Sequence, residues 1–437
     1  MVGVEYGIRS DLQQRSTVLA AQTHETLVMI AVWCALIARI YREAYDVSAI
    51  VEIGSFTLTF IDIAVVVSFP AALRTVRFAN LQFYSRIFVL SLIGIIFLSL
   101  LRGIFDNGLL DATTAFRGEA FFYSLLFIFA LTPLTSTLSD RILKALTVAG
   151  WVLVGLIMVR FAIGMDFLRT TGIYEKNRAL YAPGALLLGQ IAIIQIGLAL
   201  SRHSPRQKPQ SHLITGVFFL LMIVVLEQRT ALIATLAGLA VFLLCQKSAN
   251  RTIYQLFLPI AVLAAMSLIA FAILDMGWQH FLAAMPESVQ SMFGDDTTFT
   301  FRTMIWRSML EQYRNYSSVK QAFGVSFGHS FAWDLGYLGP KFEHSVHNHY
   351  LAMLLNTGFV GLGLGIALWL SAIFNNSHLN QATPQRLSLP PAIFMALIVS
   401  QIIYSVSYSL TGEQGLVLGL ALAFQRPEYH DERPPES

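Results

Sequence analysis

Residues 213–244 read LITGVFFLLMIVVLEQRTALIATLAGLAVFLL, an apolar run charged only at Glu227 and Arg229. As one helix it would extend about 50 Å at 1.5 Å per residue, against a hydrocarbon core of about 30 Å. Arg202, Arg206 and Lys208 precede it, and Lys247 and Arg251 follow it. Basic loops gather on the cytoplasmic side of a membrane, so two basic flanks require a hairpin. The turn falls at Glu227-Gln228-Arg229, and these polar residues are expected near the outer surface.

The rest of the chain has the same character. Of 437 residues, 55% are hydrophobic and only 13% charged, with mean hydropathy +0.62. Soluble globular chains carry about a quarter charged residues. About twelve apolar blocks follow one another, from Thr26–Ile40 and Phe56–Leu73 through Ile253–Leu274 to Tyr350–Phe374, Pro391–Leu410 and Gly415–Phe424. Ten-residue alternating strands are absent, which excludes a barrel. Alternate loops hold Arg74, Arg77, Arg86, Arg141, Lys144 and Arg386, with Asp140 as their acid; the others hold Glu43, Asp106, Asp111, Asp166, Asp295, Asp334 and Glu343. This segregation puts both termini in the cytoplasm. The expected fold is an all-α integral membrane protein of about 12 transmembrane helices. Residues 1–425 form the membrane domain, with one large outward loop at 275–346 between spans nine and ten, and 426–437 form a disordered Pro- and Glu-rich tail. Residues 1–24 read as a short polar arm. Cys34 and Cys245 read as packing or lipid-facing residues without metal spacing.

The outward face carries the candidate chemistry. Within the large loop, Phe301 to Tyr313 patterns as an amphipathic helix: Ile305, Trp306, Met309, Leu310 and Tyr313 form one stripe, opposite Arg307, Ser308, Glu311 and Arg314. Arg302 falls inside the apolar stripe, where a guanidinium must snorkel or meet an anion. Arg229 stands at the hairpin tip. Each arginine alone reads equally as an anchor for lipid headgroups. Together on one face they form a candidate pyrophosphate clamp, because the guanidinium fork matches phosphate oxygens.

His347-Asn348 is followed after nine residues by Gly358-Phe359-Val360-Gly361, where the polar loop enters an apolar span. Polar residues at such a boundary mark a functional site. His347 fits a general base, since its unperturbed pKa lies near neutrality; its structural alternative is a cap on the next helix. His347 and His349 do not share a helical face and no HExxH pattern occurs, so no metal is expected, although His344 and His347 have spacing for one. Gly358 and Gly361 suit close helix packing. Asn177 and Arg178, ending Gly172–Arg178, are candidates to touch the same headgroup, with a capping or interfacial role as the alternative. His329 and Asp334 are candidates for sugar hydroxyls, against the plainer reading of an ordinary solvated loop. Asp62 inside the second span has no partner in the sequence reading.

These residues resemble the O-antigen ligase and O-antigen polymerase family of bacterial envelope glycosyltransferases. The resemblance rests on Arg229-Thr230-Ala231-Leu232 at an outer hairpin, Arg302 with Trp306 in the large loop, and His347-Asn348 with its Gly358-x-x-Gly361. It implies a GT-C-like architecture in the bacterial inner membrane with the site facing the periplasm. It further implies a glycan donor on undecaprenyl pyrophosphate, a lipid or glycan acceptor, and metal- and cofactor-independent, inverting transfer. Arg229 and Arg302 would then hold pyrophosphate, and His347 would activate the acceptor hydroxyl. Asn348, Asn177, Arg178 and Trp306 would contact substrate. The lead-in Glu227-Gln228 departs from the small polar residues expected there, so a carboxylate beside Arg229 would weaken its hold on phosphate. The His-Asn string favours a ligase joining glycan to lipid A core over a repeat-unit polymerase. A transporter is the rival from another class, but transporters set polar residues at the bilayer midplane within paired repeats, and no repeat is visible here. Nothing points to nucleic acid.

Overall fold

A computed structural model of the chain describes residues 2–45, 49–53, 56–75, 83–132, 135–168, 179–200, 209–226, 228–247, 297–329, 347–379 and 391–423. The elements are α1 (Val2–Tyr45), β1 (Ala49–Ile53), β2 (Phe56–Thr59), α2 (Phe60–Thr75), α3 (Phe83–Asn107), α4 (Leu109–Leu131), α5 (Ser136–Ile163), α6 (Ala182–Leu200), α7 (Pro209–Val225) and α8 (Arg229–Lys247). After residue 296 come α9 (Thr297–Arg314), α10 (Ser318–Phe323), α11 (His349–Leu379), α12 (Pro391–Tyr404) and α13 (Gly412–Ala423). Among the described residues, five helices are long and apolar enough to cross a membrane: Ile87–Asn107, Leu109–Leu131, Thr137–Ile163, Ala182–Leu200 and His349–Ile373. Shorter apolar helices cover Phe60–Pro70, Pro209–Val225, Arg229–Cys245 and Ala392–Tyr404. The run 213–244 is indeed divided, into α7 and α8. The expected ninth span, Ile253–Leu274, and the tail 426–437 lie outside the described residues.

Three boundaries differ from the sequence reading. Residues 2–24 continue α1 as helix instead of forming a separate arm. The block Phe56–Leu73 is not one span: its first four residues form β2, antiparallel to β1 with Ile53 opposite Phe56. Helix α2 therefore starts at Phe60, which puts Asp62 in its first turn. There Thr59 N donates to Asp62 Oδ2 at 2.7 Å and Asp62 N returns a bond to Thr59 Oγ1 at 3.3 Å, a reciprocal cap. Arg117 of α4 completes the site with an ion pair at 2.5 Å, the partner missing from the sequence reading. Finally, the block Pro391–Leu410 stops being helix at Tyr404, leaving a connector, residues 405–411, before α13.

Helix α6 is apolar all round and lies at the centre, packed against α5, α7, α8 and α12. Small residues allow the approach. A Cβ on Gly197 would meet Ile393 of α12, and one on Gly238 of α8 would meet Ala396 O and Ser400. Cys34 packs on the central core, and Cys245 Sγ lies 4.0 Å from Met395 Sδ of α12. Elsewhere α13 lies along α4, α11 along α3, and α1 against α2 and α5. Outward residues such as Val66, Phe105 and Ile214 stay exposed, as a lipid-facing surface requires.

One end of the bundle is tied by buried charge. Arg39 pairs with Glu43 at 2.8 Å and with Glu413 of α13 at 3.0 Å. Glu43, expected as a loop acid, is instead wholly buried in α1. Its Oε2 accepts the Tyr181 N–H at 2.7 Å. Arg160 donates to the carbonyls of Glu43 and Ala44 at 2.7 and 3.0 Å and to Ala179 O at 2.7 Å. The last turn of α1 thus finds donors for its open carbonyls. At the opposite end Glu25 accepts from Thr135 at 2.7 Å and faces Arg141 at 3.7 Å.

Removing one member of a buried ion cluster leaves the others uncompensated. Arg39→Leu is expected to cost about 3–5 kcal/mol, read as a lower thermal unfolding midpoint in detergent; an unchanged midpoint would show the cluster to be dispensable. Gly358 breaks α11 with φ +69, and a Cβ there would strike Ala322 O of α10. Gly358→Ala is expected to cost more than about 1 kcal/mol and to speed hydrogen exchange in α10 while α6 stays protected.

Candidate active site

The amphipathic pattern from Phe301 to Tyr313 is realised in α9. Ile305, Trp306, Met309 and Tyr313 are buried against Leu351, Leu354 and Leu355 of α11. Arg307 and Glu311 pair on the exposed side at 3.0 Å. The Tyr313 hydroxyl donates to Gln321 O, and burial pushes this phenol up to about 12, so it stays a donor at neutral pH. Helix α9 is therefore bolted to the first turns of α11.

Where α10 ends, Gly324 to Gly328 pass between two walls. On one side Val325 N donates to Leu355 O at 2.8 Å. On the other, Arg102 donates to the carbonyls of Phe323 and Gly324, and Asn107 donates to Phe327 O at 2.9 Å. Gly324 (φ +79) lies directly on the Asn356–Thr357 backbone, where a side chain would not fit. The Gly358 kink and this segment explain why small residues stand there. His329, next in line, has its pKa lowered by burial and by the Lys320 ammonium, with Asp106 opposing.

His347 has φ +44, a left-handed conformation uncommon outside glycine, and is half-buried at the mouth of α11. The cap expected of a histidine is supplied by its neighbour: Asn348 Oδ1 accepts the Leu351 N–H at 3.0 Å. His349 is buried among Phe122, Tyr123 and Tyr350, and its Nδ1 lies 4.0 Å from Glu119 Oε1. Its backbone N–H donates to Ser405 O at 3.0 Å, and the Tyr350 hydroxyl donates to Ile402 O at 2.9 Å. So the His347 turn is fastened to the end of α12 and to the connector.

Arg302 is fastened to the same connector. Its Nη1 donates to Ser407 O at 3.3 Å, and its Cζ stands 4.9 Å from the centre of the Tyr408 ring. It thus finds a carbonyl and an aromatic face, where the sequence reading allowed only snorkelling or an anion. Two connector carbonyls two residues apart, Ser405 O and Ser407 O, bring the imidazole turn and the guanidinium together.

Arg229 is the exposed first residue of α8. Cys245 faces Met395 while Gly238 faces Ala396 and Ser400, so α8 runs antiparallel to α12. Arg229 therefore comes to the end where α12 gives way to the connector. Beside it the buried Gln228 donates to Leu180 O at 3.2 Å. Trp306, expected to touch substrate, is 2% exposed and packs inside the α9–α11 contact. Asn348, also expected to touch substrate, spends its carbonyl oxygen on the cap. Asn177, Arg178, Glu227, Asp334 and His344 lie outside the described residues.

Sequence reasoning missed the connector and the acid Glu119. The signal was present in Tyr404-Ser405-Val406-Ser407-Tyr408-Ser409, where serines alternate with larger residues inside an apolar block. Glu119 stands just before a block read from Ala120, and only packing shows that it faces His349. Among the described residues, no group of three or more His, Cys, Asp or Glu side chains gathers as a metal site.

No curated protein matches the chain. A family model described as O-antigen ligase matches residues 214–366, about a third of the chain. That stretch holds Arg229, Arg302, His347 and Asn348, and over it the chain is similar to the O-antigen ligase family.

Proposed function

We propose that the protein is a membrane glycosyltransferase of the ligase type, moving a glycan from undecaprenyl pyrophosphate to an acceptor hydroxyl on the periplasmic face of the bacterial inner membrane. The observation that carries this reading is the shared mounting of Arg302 and the His347 turn on Ser407 O and Ser405 O. The family match supports the reaction type. About twelve spans in residues 1–425, with residues 275–346 as a periplasmic loop and both termini cytoplasmic, is the topology that fits the charge pattern.

In this mechanism His347 accepts the proton of the acceptor hydroxyl as its oxygen attacks the anomeric carbon. The bond from that carbon to the pyrophosphate oxygen breaks on the opposite face, which inverts the configuration. Undecaprenyl pyrophosphate leaves with the electron pair, and Arg302 and Arg229 offset its charge. The left-handed backbone at His347 turns that residue off the axis of α11. Asn177 and Arg178 would border the headgroup.

Joining a finished glycan to lipid A core is favoured over polymerising repeat units. The two are separated by a deletion strain: polymer stranded on the lipid carrier marks a ligase, and single repeat units mark a polymerase.

His347→Ala is expected to lower transfer by at least about a hundredfold, in line with loss of a general base, while the protein accumulates normally in the membrane. Transfer at the normal rate by the purified variant would remove the base role. Arg302→Lys is expected to weaken donor binding about tenfold or more, because a point charge cannot replace the planar fork. An unchanged donor affinity would count against the clamp.

A further inference from the structure

Arg302 is held in an uncommon way. Among the described residues it forms no ion pair. Its supports are the long bond to Ser407 O and the Tyr408 ring. An acidic partner would neutralise the guanidinium and occupy its fork. An aromatic face attracts the cation through the ring quadrupole and leaves the N–H edges open to an anion.

The ring is itself fixed. Tyr404 stacks on Tyr408 with centroids 4.9 Å apart and planes at 14°. Tyr404 is wholly buried at the end of α12. On the far side of the connector, Thr411 N donates to Gln414 Oε1 at 3.0 Å, and Glu413 is locked to Arg39. The connector is thus pinned at both ends, and Tyr408 rides between the pins. Sequence gave no hint of this pairing, since the two residues are more than a hundred positions apart.

We propose that Tyr408 is a positioning residue for Arg302: its ring face sets the guanidinium plane so that the fork meets the pyrophosphate of the donor. This rests on the phosphate role proposed for Arg302. The requirement is for an electron-rich ring face; the phenol hydroxyl is not needed.

The test uses the full-length protein in detergent with undecaprenyl pyrophosphate as the binding probe. Tyr408→Phe is expected to bind within about twofold of wild type. Replacing Tyr408 by pentafluorophenylalanine, which keeps the shape and reverses the quadrupole, is expected to weaken binding about tenfold, as is Tyr408→Leu. In an Arg302→Ala background neither change should weaken binding further, because the two residues act as one unit. Wild-type affinity in the fluorinated variant overturns the inference. So does a loss of the same size with and without Arg302. If Tyr408→Leu fails to accumulate, the fluorinated ring decides. If Arg302→Ala itself binds like wild type, the phosphate role falls and this inference with it; the other two outcomes leave that role standing.

Discussion

Arg39 sits fully buried between Glu43 of its own helix and Glu413 of α13, at 2.8 and 3.0 Å. Neither lipid nor a packed core supplies a counter-ion, so such charges persist only where the chain answers them itself. Satisfying them forces the end of α1 and the start of α13 together. Tyr181 N and Arg160 then bring the start of α6 and the end of α5 to the same place. This knot determines where the connector must emerge, and the candidate site is built on that connector.

The site follows a general pattern, in which reactive side chains are held by groups that are themselves locked. The His347 turn does not stand alone: Asn348 caps α11, His349 N–H reaches Ser405 O, and Tyr350 reaches Ile402 O. Arg302 does not depend on α9 alone, because Ser407 and Tyr408 support it from outside that helix. Trp306 contributes by packing: its indole fills the contact that keeps α9 in register with α11. Backbone carbonyls of a short pinned connector hold the His347 turn and Arg302 from the same side of the chain.

Glycines complete the arrangement by bringing backbones close where side chains would intervene. Gly324 and Gly358, both with positive φ, let the end of α10 lie on the kink of α11. That contact fixes the distance between α10 and the helix that follows His347. The pair Gly358 and Gly361, read from sequence as a packing device, does this for Gly358 through α10.

Much of the molecule was legible in the residues alone. The division of 213–244 into α7 and α8, the buried stripe of α9 and the membrane character follow from hydropathy period and charge placement, which are local quantities. The candidates Arg229, Arg302 and His347 stood out because polar groups at the edge of apolar segments are costly and therefore conspicuous. What only the tertiary structure decided is partnership. Asp62 needed Arg117, Glu43 needed Arg39, His349 faced Glu119, and Arg302 found a carbonyl and a ring on the connector. Apart from Arg39 and Glu43, four residues apart on α1, none of these pairs has a sequence period to betray it, because an ion pair or ring contact between distant segments is set by how helices cross and leaves no local pattern.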